Sequence, residues 1–437
     1  MGNIINYQEN FSEPTFKIYR GNVFPDKKYL LRENGWQAIA TIEVTGKRIW
    51  ASWMAGGTTE PDPENYIVLT YSDDGGKSWV DPFITIDNDS PLSRGRDPVL
   101  WLDPVGSLWL FYGFYALKYT YAVKIINPED SKEDMIISDP IIKFSDGVIL
   151  NKPIVSSDGK WLCMYDPRRE DRLTNYCLYS DDLGETWKKQ GEIHTDSDHK
   201  DWQEGALVEK NDGTLWALLR IEGAYNGGIE QSFSSDGGRS WTKTEYNLAF
   251  PFYGPGSKFC MRKLSSGSIL FVNNNSSDST RTNMSAYLSK DDGKTWHSLL
   301  LDGRGGCAYP DVTQDAEGNI YVIFDCDRKG KYEIRYCKFT EEDVIVGDFV
   351  TKDCVKMAVI SKNRKYTDVV KVNYLSSESA EVTDENDKKH IVYGKLCERT
   401  INNLKYEYFN AEKDMAKLFL TDGRNLFLKK EGGNEKK

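Results

Sequence analysis

Histidine is nearly missing from this chain: His194, His199, His297 and His390 are the only four in 437 residues, too few and too scattered for a histidine-rich metal site. The eight cysteines lack metal-type spacing, and their scatter over apolar segments reads as reduced core thiols. No metal or other cofactor is therefore expected. No apolar run approaches the length of a membrane span, and Met1–Phe16 is polar where a secretory leader would be basic and then apolar. The chain as written is expected in the cytoplasm; a leader removed before it would make it secreted. Basic charge is also short. The balance of 56 Lys and Arg against 67 Asp and Glu leaves −11, which argues against nucleic acid or an anionic membrane as partner. An anionic ligand would have to be held by local arginines.

Aromatic side chains, in contrast, are plentiful: 25 Tyr and 12 Trp suit both β packing and sugar stacking. Their arrangement is repetitive. The pattern Ser-x-Asp-x-Gly-x-(Ser/Thr)-Trp runs from Ser72 to Trp79, Ser180 to Trp187, Ser234 to Trp241 and Ser289 to Trp296. The last three copies recur at about 54 residues and the first gap is twice that, which places one degenerate unit near residue 133 and another near 350. Each copy reads as a hairpin turn, with Asp bonding the backbone, Gly supplying positive φ and Trp plugging between neighbouring sheets. A period of this length holds four short strands, the content of one propeller blade. The spacing predicts an all-β fold: a six-bladed β-propeller over residues 1–355, and a small C-terminal β extension or closing strands over 356–437. In the extension, Val369–Tyr374, His390–Tyr393 and Leu418–Phe427 read as strands.

Function in such a fold gathers where inner strands and loops converge, so the informative residues are polar ones that interrupt apolar strands. Glu204 enters the apolar segment Trp202–Glu209, and Arg220 ends the apolar run that follows it. Arg281 opens the strand whose other end carries the fourth repeat, which puts it at the opposite end of that strand. Tyr309 stands in Gly306–Val312, just before a strand. Taken singly, these have bland readings: an ion pair, a solvated arginine, a core aromatic. Arg96 in Arg96-Asp97-Pro98, Lys152 in Asn151-Lys152-Pro153 and Arg262 within Phe259–Leu264 also break apolar runs, with structural ion pairing as the alternative to lining the mouth.

Taken together, the repeats and the ordered set Glu204, Arg220, Arg281, Tyr309 resemble the sialidase (neuraminidase) superfamily over roughly residues 30–345. Cys307-Ala308-Tyr309-Pro310-Asp311-Val312 is similar to the motif holding that family's tyrosine nucleophile. Glu204 and Arg220 match its activating glutamate and second carboxylate-binding arginine, and Arg281 matches the third. Two departures stand out. The family opens its first blade with Arg-Ile-Pro, whereas this chain has Trp36-Gln37-Ala38-Ile39-Ala40, so Gln37 replaces the first arginine. Asp325 stands where the family has a glutamate that buttresses that missing arginine. For the acid/base, the stretch Gly56–Asn65 offers Asp62, with Glu60 and Glu64 as rivals.

The resemblance implies an exo-acting retaining hydrolase of a glycoside with a terminal acidic sugar, sialic acid or a relative. Tyr309 would attack the anomeric carbon, Glu204 take its proton and Asp62 protonate the leaving oxygen. A phenol titrating near ~10 needs such a base beside it. Arg220, Arg281, Gln37, Arg96, Asp311, Arg262 and Lys152 are the substrate-binding candidates. Two other functions fit the same residues: a lyase in which Tyr309 abstracts the proton beside a uronate carboxylate, and a glycan-binding propeller without turnover.

Overall fold

The computed structural model describes residues 17–20, 29, 35–87, 94–114, 119–131, 134–145, 147–167, 173–195, 204–221, 229–247, 249–276, 280–362, 369–384, 387–402, 404–411 and 426–430. The fold is all-β, with Glu341–Val346 as the α-helix among these residues. The described residues form six antiparallel sheets in succession and then a seventh. The first consists of Gln37–Thr45, Arg48–Ala55, Tyr66–Ser72 and Ile84–Asp87, with Lys17–Arg20 added outside. The second begins at Gly95–Leu102, the third at Ile154–Val155, the fourth at Ala206–Glu209, the fifth at Cys260–Lys263 and the sixth at Cys307–Gln314. The sixth ends with Val355–Ser361, and the C-terminal sheet runs from Val369–Tyr374 to Leu426–Lys430.

Burial explains the sequence pattern. The opening strands Gln37–Thr45 and Cys307–Gln314 are buried on both faces almost throughout, so their polar residues, among them Gln37, Glu43 and Asp311, lie inside the molecule. Lys188–His194, the fourth strand of the third sheet, alternates instead, because one of its faces meets water. Apolar layers join each sheet to the next. Trp50 and Leu69 of the first sheet pack with Leu110 and Tyr112 of the second. Trp101 and Phe111 meet Trp161 of the third, whose Leu162 and Met164 meet Leu207 of the fourth. Trp216 then packs on Phe259 and Phe271 of the fifth, and Val272 on Val312 and Phe324 of the sixth. Ile323, Ile334 and Tyr336 of the sixth sheet pack back on Ile49, Trp53 and Val68 of the first. Each buried aromatic or aliphatic side chain in these layers stabilises by roughly 1.5–3 kcal/mol.

The four repeats are the turns between third and fourth strands of the first, third, fourth and fifth sheets. In the first, Gly76 N donates to Ser72 Oγ (2.8 Å), which donates to Asp74 Oδ1 (2.8 Å); Asp74 accepts from Ser78 N (2.9 Å) and Ser78 Oγ (2.6 Å). The same bonds recur at Asp182, Asp236 and Asp291. Gly76 has φ +86, and a Cβ there would strike the Tyr336 hydroxyl, so only glycine fits. The two unmarked units are also turns. In the second sheet Asn127 takes φ +56; in the sixth, the helix stands in the turn and Asp343 accepts from Val350 N (2.7 Å) and Thr351 N (2.8 Å).

Two expectations need adjusting. Cys307 and Cys326, paired across the first two strands of the sixth sheet, form a disulfide rather than free thiols, because a directly opposed register brings their Cβ atoms together. Cys163, Cys177, Cys260 and Cys337 are free and buried, whereas Cys354 and Cys397 are free and partly exposed. In the C-terminal sheet His390–Tyr393 belongs to the longer strand Lys389–Ile401, and residues 418–425 of the expected last strand lie outside the described residues. Asn402 of that sheet bonds the Tyr287 hydroxyl (3.2 Å) and Ser285 Oγ (3.3 Å) of the fifth.

Candidate active site

Three opening strands share one irregularity. The register slips between Ala38 and Thr41 in the first sheet, Arg96 and Val99 in the second, and Ala308 and Asp311 in the sixth. At each slip one residue takes positive φ: Ile39 (+57), Asp97 (+51) and Tyr309 (+55). Holding a non-glycine residue there costs on the order of 1–3 kcal/mol, and such bulges re-aim a side chain. The bulge at Tyr309 turns its phenol toward the starts of the other sheets.

What the phenol meets is specific. Tyr309 OH donates to Glu204 Oε1 at 2.9 Å and accepts from Arg220 Nη1 at 3.0 Å. Arg220 Nη1 also lies 2.8 Å from Glu204 Oε2, closing a triangle of three buried side chains. Glu204 lies two residues before the fourth sheet's opening strand, Ala206–Glu209, and Arg220 ends its second strand, Leu215–Arg220. Antiparallel pairing brings these two ends together, which is why a carboxylate and a cation 16 residues apart meet. Burial first, and then the Glu204 charge, raises the Tyr309 pKa far above the usual phenol range, against the opposing pull of Arg220, Arg328 and Arg281. The phenol is held neutral beside a base.

Arg281 precedes the fifth sheet's third strand, with its guanidinium carbon 5.4 Å from the centre of the Tyr309 ring. Arg328, from the turn after Ile320–Cys326, stacks closer, at 4.5 Å, and lies 5.9 Å from the Trp36 ring. Asp325, with no exposed side-chain surface, grips Arg328 through Nε (2.7 Å) and Nη2 (2.9 Å) and also accepts from Ile39 N (2.9 Å). Glu60 reaches the same place, 3.3 Å from Arg94 Nη1 and 3.6 Å from Arg328 Nη1. Arg328 and Arg94 carried no strand-breaking signature; the i, i+3 pair Asp325 and Arg328 at a strand end was the one sequence hint.

Other candidates are occupied otherwise. Gln37 is fully buried and donates to Tyr332 O (2.9 Å). Lys152 is also buried: Nζ lies 2.8 Å from Asp311 Oδ2 and 3.4 Å from Glu43 Oε2, and bonds Ile42 O and Leu100 O at 2.6 Å each. Asp311 further accepts from Thr41 Oγ1 (2.6 Å) and Ile42 N (3.0 Å), and although burial alone would raise its pKa, Lys152 and Lys258 bring it below the carboxylate range. Lys152 and Asp311 are thus a saturated internal pair, not ligand-facing groups. Arg262 lies at the other end of the opening strands, donating to Pro153 O (3.3 Å) in a cleft with Leu102, Val155 and Glu209. Arg96 is buried beside Asp97, 3.9 Å away, in the bulge of the second sheet.

Asp62 shapes its own loop. It accepts from Glu64 N and Thr58 N, both at 3.0 Å, and these bonds lower its pKa. Glu64 is exposed.

A phenol, its base and clustered guanidiniums at one end of six consecutive antiparallel sheets mark the sialidase-like class. Within it, the chain belongs to the family of the BNR repeat-like domain, whose profile matches residues 47–322. No curated protein matches the chain in sequence. Among solved structures it is similar to the intramolecular trans-sialidase from Ruminococcus gnavus, at 16% identity and TM-score 0.56, over 76% of this chain and 98% of that one. It is also similar to the NanB sialidase from Streptococcus pneumoniae, at 14% identity and TM-score 0.55, over 74% and 71% of the two chains. A protein of unknown function from Dyadobacter fermentans aligns at 18% identity and TM-score 0.54, over 68% and 92%.

Proposed function

We propose that this chain is a retaining exo-glycosidase that releases a terminal acidic sugar, sialic acid or a close relative, from a glycan. Its scaffold in this reading is a six-bladed propeller over residues 1–355 with a β extension over 356–437. The observation that carries the proposal is the 2.9 Å bond from Tyr309 OH to Glu204 Oε1. A buried phenol with a raised pKa is a poor nucleophile alone, and a carboxylate at bonding distance supplies what it lacks. The sugar class follows from charge: a neutral attacking group and clustered guanidiniums suit an anomeric centre that bears a carboxylate, and a tyrosine nucleophile is an established exception to two-carboxylate hydrolysis.

In the first step Tyr309 Oη bonds to the anomeric carbon as the bond to the leaving oxygen breaks. The phenol proton passes to Glu204, and the leaving oxygen takes a proton from an acid on the Gly56–Asn65 loop. Water then attacks the anomeric carbon, giving its proton to that loop carboxylate, and the departing phenolate recovers its proton from Glu204. Two displacements retain the configuration. Asp62 is our assignment for the acid, which requires its two backbone bonds to open with substrate bound; Glu60 stands beside Arg328 as the rival.

Aryl glycosides of sialic, deaminated sialic and uronic acids test the reading, with the product followed by NMR. Release of the sugar acid with its starting configuration, lost in Asp62→Asn and kept in Glu60→Gln, supports it. An unsaturated uronate product would replace hydrolysis by elimination, and glycan affinity with no turnover would leave a binding protein.

A further inference from the structure

The first strand of the first sheet brings no cation to Tyr309, since Gln37 spends its amide on Tyr332 O (2.9 Å). The vacancy in charge is filled from elsewhere. After Ile320–Cys326 the chain turns at Asp327, φ +57, and is held by Tyr332 N donating to Asp327 O (3.0 Å) and Lys331 N donating to Asp327 Oδ2 (2.9 Å). That turn lays Arg328 over both Tyr309 and Trp36. Asp325 fixes the guanidinium along its Nε and Nη2 edge. The remaining nitrogen, Nη1, makes a 3.6 Å contact with Glu60, beyond hydrogen-bond length. A planar fork clamped on one edge presents the other to a ligand in a fixed direction.

We propose that Arg328 is a carboxylate-binding residue of this site, working with Arg220 and Arg281, and that Asp325 is its positioning residue. The inference rests on the acidic-sugar reading above and adds to it a cation that enters from the sixth sheet's turn, beyond residue 322 where the family profile ends. Charge matching supports it. Arg220 is paired with Glu204 and Arg328 with Asp325, whereas Arg281 makes no ion pair among the described residues and donates to Gly256 O (3.1 Å). Burial, then Arg328 and Arg220, push the Arg281 pKa down, the sign of a cation crowded by its own kind. An anion placed between Arg281 and Arg328 relieves that crowding. Asp325 has a second task in this arrangement: its bond to Ile39 N ties the first sheet's bulge to the guanidinium that replaces the one that bulge lacks.

The test is binding rather than turnover. Affinities of the full chain for 2,3-unsaturated sialic acid and for its methyl ester are measured by calorimetry. The unaltered chain is expected to prefer the acid, and Arg328→Ala to lose about 10- to 100-fold of acid affinity while keeping its ester affinity. Arg328→Lys, which keeps the charge but not the fork, is expected to fall between, and serves if Arg328→Ala does not fold. Asp325→Asn is expected to weaken the acid preference without abolishing it, and its thermal midpoint reports any general loosening. An acid preference unchanged in both Arg328 variants overturns the inference and leaves the acidic-sugar reading standing. Equal affinity of the unaltered chain for acid and ester overturns both.

Discussion

Two clusters of buried charge occupy the interior where the opening strands meet, and they differ in how completely their charges are matched. Around Lys152, one ammonium faces Asp311 and Glu43 and two backbone carbonyls, while Thr41, Thr313 and three backbone N–H groups satisfy the carboxylates. Around Tyr309, guanidiniums gather on one phenol, and among the described residues Arg281 has no carboxylate partner. Burying a charge is tolerated when its partners are complete. The first cluster is complete and is architecture; the second is short of an anion among the described residues, which in the proposed function a substrate carboxylate supplies. Two buried sets of charged residues thus divide by how fully their charges are matched.

Breaking the comparison at its chemical end has the largest effect. Tyr309→Phe is expected to cut kcat on an acidic aryl glycoside by about a thousandfold or more while leaving the thermal midpoint in place, as deletion of a nucleophile does. Lys152→Met is the structural counterpart. It strands Asp311 and Glu43 without their cation, and denaturant unfolding should record a loss of about 3–5 kcal/mol, with the folded fraction keeping its preference for acid over ester. Arg281→Ala should do the reverse, weakening acid binding about 10- to 100-fold with the stability unchanged or raised, since a crowded cation is gone. If Arg281→Ala destabilises as much as Lys152→Met, the division between the clusters fails. The repeat turns give the smallest effect. Hydrogen bonds, first from the Ser240 hydroxyl and then from its backbone N–H, hold the Asp236 carboxyl at about 2, below its unfolded value. A depressed folded pKa makes this contribution full above about pH 4 and lost as pH falls through about 2. Asp236→Asn should therefore flatten that acid limb and cost about 1 kcal/mol at neutral pH, read from unfolding curves at stepped pH.

Sequence showed those parts of the molecule that repeat or that break a pattern. The Ser-Asp-Gly-Trp turns are local, closed by bonds within eight residues, so their chemistry is written in one short string. Arg281, at a strand start, and Tyr309, before a strand, gained their weight only from the resemblance to the sialidase motifs, whereas Glu204 and Arg220 were visible as polar intrusions into apolar runs. Lys152 and Asp311 gave the same signal and belong to the other cluster, because a lone sequence cannot say whether a buried charge has found its partners across sheets 110 to 159 residues away. Arg262 was placed at the wrong end since its strand, Cys260–Lys263, has only four residues and no turn motif to orient it. Arg328 sits in a charged turn, Asp327-Arg328-Lys329, that reads as solvent-facing until Asp325 is seen to draw it inward.

The packing of the sixth sheet on the first has a mechanical side. Among the described residues no strand is shared between these two sheets, so the join is made by side chains: the layer of Ile334, Tyr336, Trp53 and Val68, the edge-on contact of Tyr336 with Trp79, and the Tyr336 hydroxyl on Gly75 O at 3.1 Å. Tyr309 and Arg328 come from one lip of that join and Trp36 and Ile39 from the other. In the proposed function a ligand lodged there acts as a rivet across the suture, so that parting of the two lips under heat or strain would also let it go.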